Sequence, residues 1–252
     1  PQTDGLDTPN PDAAGACEVV CYTSDHGASF AKLPVAQIRA VLEAWKNRDS
    51  ELSKLTYIEH VFPFENRGEE VGVTISHPHG QIYAYSFIPT RVEKMLIAAQ
   101  DYQEKTGRVL LDDLVKREIK DEKRIIAQNS EWIAYVPFAA RYPFEIHLAP
   151  LRSVARMSQL DEKQSEAFPA IAKEILTRLD GVFGIEMAYI ASWYQAPVNV
   201  GSDCMRLHWQ IVSVRRQPGK LKYLSGSESA MGAFIMDLEP EQSAEQLRQV
   251  KI

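Results

Sequence analysis

The sequence is poor in cysteine, in long apolar runs and in clustered basic charge. Three cysteines among 252 residues are too few for a disulfide scaffold and are typical of a reducing compartment, so we expect a cytoplasmic protein. No stretch approaches the roughly 18 uncharged apolar residues that a membrane-spanning helix requires, and no membrane association is expected. Lys and Arg number 28 against 34 Asp and Glu, without a dense basic block, so nucleic acid is not an expected partner.

Apolar residues make up 45% of the chain, enough for the core of one large domain or two small ones. After an irregular lead-in at 1–16, their spacing predicts a first group of elements: a strand at 18–22, a helix at 35–48 and strands at 57–64 and 81–87. A charged helical stretch at 91–121 follows. The second group comprises strands at 131–137 and 145–149, a helix at 160–179 that Pro169 should kink or divide, strands at 186–193 and 207–214, and a last helix from about Pro240.

The same order of elements therefore occurs twice. His79-Gly80-Gln81-Ile82 and His208-Trp209-Gln210-Ile211 occupy equivalent places in the two groups. We predict an α+β fold of two fused repeats, each an antiparallel sheet with packed helices. The expected boundaries are 1–123 and 124–252, and the first repeat lacks the opening strand of the second.

The segment with the most candidate catalytic side chains is His77-Pro78-His79-Gly80-Gln81, which lies between a glycine-containing loop and an apolar strand. If the extended backbone of the strand predicted at 81–87 already begins at residue 77, His77, His79 and Gln81 lie on the same face of that strand. A neutral imidazole can attack phosphorus near pH 7, and a hydrogen bond at its other nitrogen fixes the reactive tautomer. The Gln81 carboxamide can donate to a phosphoryl oxygen without acting as an acid, and Gly80 lets phosphate approach the backbone.

Zinc binding is the main alternative role for His77, and His26 is a second candidate ligand. Cys17 and Cys21, within an apolar run, are expected to place two small side chains on one face of a buried strand rather than to form a zinc pair. His60 and His147 lie within strand-like runs, where hydrogen-bonded structural histidines are expected.

These motifs resemble the galactose-1-phosphate uridylyltransferases of the histidine-triad superfamily. The resemblance covers the chain from about Cys17 onwards, and its most specific part is FENRG at 64–68 followed by HPHGQIYAYSF at 77–87. PFEIHLAP at 143–150, HWQ at 208–210 and KYLSGSE at 222–228 are similar to the second half of that family.

The resemblance implies a ping-pong reaction of galactose metabolism in which UDP-glucose transfers UMP to His79 and then to galactose 1-phosphate. By the same comparison, Gln81 contacts the transferred phosphoryl group. Other implied substrate contacts are Asn66, Gly72, Val73 and Thr74 for the uridine nucleotide, and Lys222, Tyr223 and Glu228 for the hexose phosphate, the latter supplied across a homodimer interface. His26 and His77 match two of four ligands of a structural zinc ion.

The chain departs from the family pattern in three respects. The Cys-x-x-Cys pair that completes the zinc site is absent from the sequence, as are the nucleotide-binding arginines of the family's N-terminal segment. The positions matching an iron site are Met95, Tyr194, Val212 and Val214, so we expect no iron. Together with the first residue being Pro1, the missing segment leads us to expect that the 252 residues are part of a longer enzyme.

Two alternatives remain open from sequence. His79 chemistry does not specify the base, so a related transferase or phosphorylase with an ADP-type donor is the first. The second is a nucleotide-sugar binding fragment without catalytic activity.

Overall fold

The computed structural model describes residues 14–252, which contain six α-helices and ten strands. The helices are α1 Val35–Leu52, α2 Thr90–Thr106, α3 Leu110–Asp121, α4 Glu162–Gly181, α5 Gly226–Met231 and α6 Pro240–Gln249. The strands are β1 Gly15–Cys21, β2 His60–Arg67, β3 His79–Tyr85, β4 Ile125–Gln128, β5 Trp132–Tyr135, β6 Phe144–Pro150, β7 Tyr189–Tyr194, β8 His208–Ser213, β9 Arg215–Gln217 and β10 Lys220–Leu221.

Eight of the strands form one antiparallel sheet in the order β1-β3-β2-β7-β8-β6-β5-β4. The two halves are arranged alike, because β1-β3-β2 on one side corresponds to β6-β8-β7 on the other. They join where β2 pairs with β7, with Phe64 opposite Ser192. The predicted α+β class is confirmed, but the two expected sheets are continuous. The domain boundary at residue 123 stays a prediction.

Helices α1 and α4 cover one face of this sheet and contact each other. The apolar side of α1, with Ile38, Leu42 and Trp45, is fully buried there, as the spacing of these residues predicts. The opposite face of the sheet carries side chains of intermediate exposure, seen in the alternating burial along β3. This open face is where reactive groups can meet a substrate.

Several element predictions needed correction. The stretch predicted as one helix at 91–121 is two, because Gly107 ends α2 in the left-handed region with a φ of 68°. Pro169 does not divide α4: Trp132 Nε1 and Asn129 Nδ2 donate to helix carbonyl groups near it, and burial of the helix outweighs one lost backbone bond.

Strand β4 and helix α5 were not predicted, because four and six residues are too few to show a period. Most of the predicted lead-in, residues 1–13, lies outside the described residues, whereas Gly15 and Ala16 belong to β1. Cys17 and Cys21 share one face of β1, but both are exposed, so the expectation of a buried strand is wrong. Within residues 14–252, no helix combines the length and apolarity needed to span a membrane.

Candidate active site

Two adjoining pockets lie where the loop after β2 returns to the start of β3. Their volumes are about 370 and 430 Å³. They share six lining residues: Asn66, Val73, Thr74, Ile75, His77 and His79. Together they form a cleft whose floor is the HPHGQ segment and whose wall is the loop.

His79 begins β3, and its side chain lies on the open face together with that of Gln81, as their spacing predicts. The His79 Nδ1 atom donates a hydrogen bond to the His77 carbonyl oxygen at 2.7 Å. Because Nδ1 carries the proton, the lone pair of the neutral ring is at Nε2. The backbone therefore selects the tautomer that a nucleophilic imidazole needs.

The Gln81 carboxamide is oriented by a neighbour on the same strand. Tyr83 donates its hydroxyl hydrogen to Gln81 Oε1 at 3.3 Å. With its oxygen engaged, Gln81 presents the NH₂ group as a donor beside His79. This is the orientation required to hold a phosphoryl oxygen.

The proposed nucleotide contacts lie in the same cleft. Asn66, Val73 and Thr74 line both pockets, and Gly72 lines the second. Asn66 lies on β2, and the loop that carries Gly72, Val73 and Thr74 starts at Gly68, whose φ is 99° and where a Cβ would lie 2.6 Å from Ala188 Cβ. Both the backbone conformation and the contact therefore require glycine at position 68.

The prediction that Gly80 admits phosphate needs correction. Gly80 faces the core, where a Cβ would lie only 2.2 Å from the Tyr22 hydroxyl oxygen and 3.2 Å from the Phe64 carbonyl oxygen. In the second half, the equivalent residue Trp209 fills the core itself. Gly80 and Trp209 thus differ in how they pack in the core behind the open face.

Gly80→Ala is expected to destabilise the fold by about 1–3 kcal/mol, the usual range for overpacking. Tyr22→Phe alone should be close to neutral, because the buried Tyr22 hydroxyl has no hydrogen-bond partner among the described residues. In the Tyr22→Phe background, Gly80→Ala should lower the free energy of unfolding by less than it does in the parent protein. Urea unfolding of the four proteins measures this coupling, and purely additive effects would contradict the contact.

The structure brings the two candidate zinc ligands together. His26 Nδ1 and His77 Nδ1 are 2.9 Å apart, and both side chains are at the surface. At this distance one ring nitrogen donates a hydrogen bond to the other, and the two nitrogens are close enough to ligate one cation in place of that hydrogen bond. Among residues 14–252, no group of three or more His, Cys, Asp or Glu side chains has metal-binding geometry. A zinc site that uses His26 and His77 stays a prediction.

The candidate hexose-phosphate residues lie apart from the His79 cleft. Lys222 Nζ donates to Glu228 Oε1 at 3.1 Å, and Glu228 also accepts a hydrogen bond from the Ser225 amide at the start of α5. Tyr223 is 80% exposed. None of the three lines either pocket of the cleft. Within one chain, this loop is an ordered surface element, and its lysine and glutamate are paired with each other.

Sequence reasoning missed Glu65, which lies in FENRG on the buried side of β2. Its Oε1 accepts a hydrogen bond from the Tyr189 hydroxyl at 3.0 Å, and Oε2 has no partner among the described residues. Burial raises the pKa of this carboxyl to about 7. Its place in the alternation of Val61, Pro63 and Glu65 on the buried side of β2 was the signal that could have identified it. Its neighbour Arg67 bonds Asp180 at 3.0 Å and anchors the end of β2.

His60 and His147 were both expected to be hydrogen-bonded structural histidines, and one of them is not. His147 is hydrogen-bonded as expected, with Nε2 3.1 Å from Glu145 Oε1. His60 is fully buried, but neither ring nitrogen has a hydrogen-bond partner among the described residues, so the expectation of a satisfied group is wrong. Burial, with the nearby Arg156 charge, lowers the pKa of His60 to about 4, so the ring is neutral at physiological pH.

Of the four positions matched to an iron site, Met95 lies on α2, Tyr194 on β7, Val212 on β8 and Val214 directly after β8. Met95 lies in a pocket with His208, and the Tyr194 ring stacks on His208 at 5.4 Å between centroids. Val212 and Val214 do not line that pocket. The expected absence of iron stays a prediction.

Comparison with known proteins gives consistent matches along the chain. A model described as galactose-1-phosphate uridyl transferase, N-terminal domain, matches residues 7–89, and the corresponding C-terminal domain matches residues 96–251. The galactose-1-phosphate uridylyltransferase of Streptomyces lividans is 41% identical over 94% of this chain and 70% of its own length. That of Thermotoga maritima is 34% identical over 96% of this chain and 76% of its own length.

Solved structures agree with these relatives. A uridylyltransferase structure, 33% identical, superimposes with a TM-score of 0.89 over 93% of this chain and 74% of that chain. An ADP-glucose phosphorylase from Arabidopsis thaliana with bound ADP-glucose, 25% identical, gives a TM-score of 0.85 over 94% of this chain and 74% of that chain. The family models and the relatives above 30% identity together decide the assignment: the chain belongs to the galactose-1-phosphate uridylyltransferase family.

Proposed function

We propose that the chain transfers UMP from UDP-glucose to galactose 1-phosphate through a uridylylated His79. The observation that carries this proposal is the His79 ring, whose Nδ1 is bonded to the His77 carbonyl oxygen while Nε2 is left for attack at the entrance of a nucleotide-sized cleft. The identity to uridylyltransferases, 41% and 34% for the two relatives above, supports uridine as the base.

In the first half-reaction, His79 Nε2 forms a bond to the α-phosphorus of UDP-glucose. The bond from that phosphorus to the bridging oxygen breaks, and glucose 1-phosphate leaves with the electron pair. The ring then carries a positive charge, which the Nδ1–H bond to the His77 carbonyl oxygen stabilises. No proton has to be delivered, because the leaving phosphate is stable as an anion.

In the second half-reaction, a phosphate oxygen of galactose 1-phosphate attacks the same phosphorus, and the electron pair returns to Nε2. Gln81 serves both steps by donating its amide N–H to a nonbridging oxygen whose negative charge grows in the transition state. Tyr83, bonded to Gln81 Oε1, keeps the amide in that orientation.

Zinc is part of the proposal as a structural group held by His26 and His77. When bound, it would supply a fixed link between the loop after β1 and the residue whose carbonyl oxygen orients His79. Metal analysis of the purified protein tests this, together with His26→Ala, which should lower zinc content without removing the nucleophile.

A homodimer accounts for two further features. Aromatic side chains form a continuous row on the open face, with ring centroids 5.0–6.1 Å apart: Phe62, Phe64, Tyr83, Tyr85 and Phe87. Phe87 is 56% exposed and Val19 on the neighbouring strand is 65% exposed, so this row has uncovered apolar surface. The separate Lys222–Glu228 loop would then reach the cleft of a second copy.

Mixing two inactive variants tests the shared site. His79→Gly and Lys222→Ala proteins, unfolded and refolded together, should form some dimers with one intact site and regain part of the activity. Failure of every mixture to exceed the separate variants would contradict the shared site.

The alternative donor class is tested by incubating the chain separately with UDP-glucose and ADP-glucose labelled in the α-phosphate. We expect acid-labile label on the protein from UDP-glucose alone. Label from ADP-glucose alone would favour the phosphorylase-type activity, for which the structural similarity to ADP-glucose phosphorylase is the supporting observation. Binding of UDP-glucose without label or turnover would favour a non-catalytic fragment.

A further inference from the structure

A second pocket, of about 420 Å³, lies on the open face in the other half of the sheet. It is bordered by α2, α3, the segment after β5 and the start of β8. Its polar lining residues include Arg91, Arg141, Glu145, His147, His208 and Gln210. The proposed UMP transfer uses none of them, so the pocket needs an explanation of its own.

The floor of this pocket repeats the arrangement of the His79 cleft. His208 and Gln210 lie on β8 as His79 and Gln81 lie on β3. The His208 Nδ1 atom is 3.3 Å from the carbonyl oxygen of Arg206, two residues earlier, which is the contact that His79 makes with its own preceding residue. The second half thus keeps the local geometry that faces a phosphoryl group in the first half.

One of the charged groups that line the pocket has no oppositely charged partner among the described residues. Arg141 is paired with Glu145 at 3.1 Å, whereas Arg91 donates to the neutral Gln210 Oε1 at 2.7 Å and lies over the Tyr194 ring at 4.5 Å. Among the described residues, Arg91 has no carboxylate within ion-pair distance. The second carboxylate of the lining, Glu118, is paired with Arg124 at 2.9 Å. Among the guanidinium and carboxylate groups that line the pocket, Arg91 is therefore the one without an oppositely charged partner in the described part of the chain, which favours an anionic ligand.

The remaining walls are apolar and partly uncovered. Phe138 is 69% exposed and Leu114 is 41% exposed, although both line the pocket. Met95 and Leu111 also line an apolar cavity of about 140 Å³ that continues between α2 and α3. A ligand matched to this surface has an apolar body next to its charged group.

We propose that this second pocket binds a small organic anion, a phosphate or carboxylate carried on an apolar or planar body. The anionic group lies between Arg91 and Arg141, and the body packs against Phe138 and Leu114. The site binds its ligand without transferring a group, because His208 is only 2% exposed and its ring is stacked against Tyr194.

Isothermal titration of the whole chain with phenyl phosphate, benzoate, inorganic phosphate and benzyl alcohol tests the proposal. Phenyl phosphate or benzoate should bind more tightly than inorganic phosphate or benzyl alcohol, and the stronger of the two identifies the anionic group. In the double variant Arg91→Gln/Arg141→Gln, this affinity should fall at least tenfold. Arg152→Gln, which removes an exposed arginine elsewhere, should leave it unchanged.

UDP-glucose affinity should stay within twofold of the parent in all of these variants, which separates the second pocket from the His79 cleft. Phe138→Ala provides an independent test, since it should weaken the aryl ligand but leave inorganic phosphate unaffected. No binding of either aryl anion at millimolar concentration, equal binding of benzyl alcohol, or retained affinity in the arginine double variant would each overturn the proposal.

Discussion

His79→Gly should lower the rate of UMP transfer by about 10⁴-fold or more, because it removes the atom that forms the covalent bond to phosphorus. The glycine leaves a space at the start of β3 that free imidazole can occupy. Added imidazole should therefore restore part of the activity, with UDP-glucose as donor and uridylylated imidazole as a soluble intermediate. Steady-state rates with and without imidazole measure both effects.

The control for this variant is His60→Phe, which replaces another histidine of the same sheet. His60 lies in the core without hydrogen-bond partners among the described residues, so its loss should leave transfer within a few fold of the parent. Retention of transfer by His79→Gly in the absence of imidazole would show that another residue is the nucleophile.

Gln81→Glu should reduce transfer by about 10²–10³-fold, the range observed when a donor to a developing oxyanion is removed. The substitution keeps the size of the side chain but replaces the amide donor with a carboxylate that repels the phosphoryl group. The loss should be mainly in kcat, since the donor acts on charge that grows in the transition state.

Tyr83→Phe is the graded comparison for this prediction. It removes the hydroxyl that bonds Gln81 Oε1 while leaving the amide donor in place, so its effect should be much smaller than that of Gln81→Glu. Equal losses for the two variants, or a loss confined to KM in Gln81→Glu, would contradict the assigned role of the carboxamide.

The sequence predicted the parts of the fold that depend on local pattern. Alternation placed His79 and Gln81 on one face of a strand, and the spacing of Ile38, Leu42 and Trp45 located α1. The duplicated order of elements also anticipated the similarity of the two halves. These features depend on short-range geometry, which is readable from neighbouring residues.

Features that depend on contacts between distant residues were not predicted correctly. Gly80 resembled a phosphate-binding glycine, yet its role follows from the Tyr22 hydroxyl, 58 positions away in sequence. His60 resembled a satisfied histidine, but its ring lies in the core. The join between β2 and β7, which makes one sheet of two, likewise involves residues far apart in the chain, such as Phe64 and Ser192.

The central claim is that His79 carries the transferred group, and mass spectrometry of the protein after brief incubation with UDP-glucose tests it most directly. The protein should gain the mass of one UMP group, on the peptide containing His79, and lose it on addition of galactose 1-phosphate with formation of UDP-galactose. Transfer that proceeds without this adduct, or with the adduct on a different residue, would contradict the mechanism.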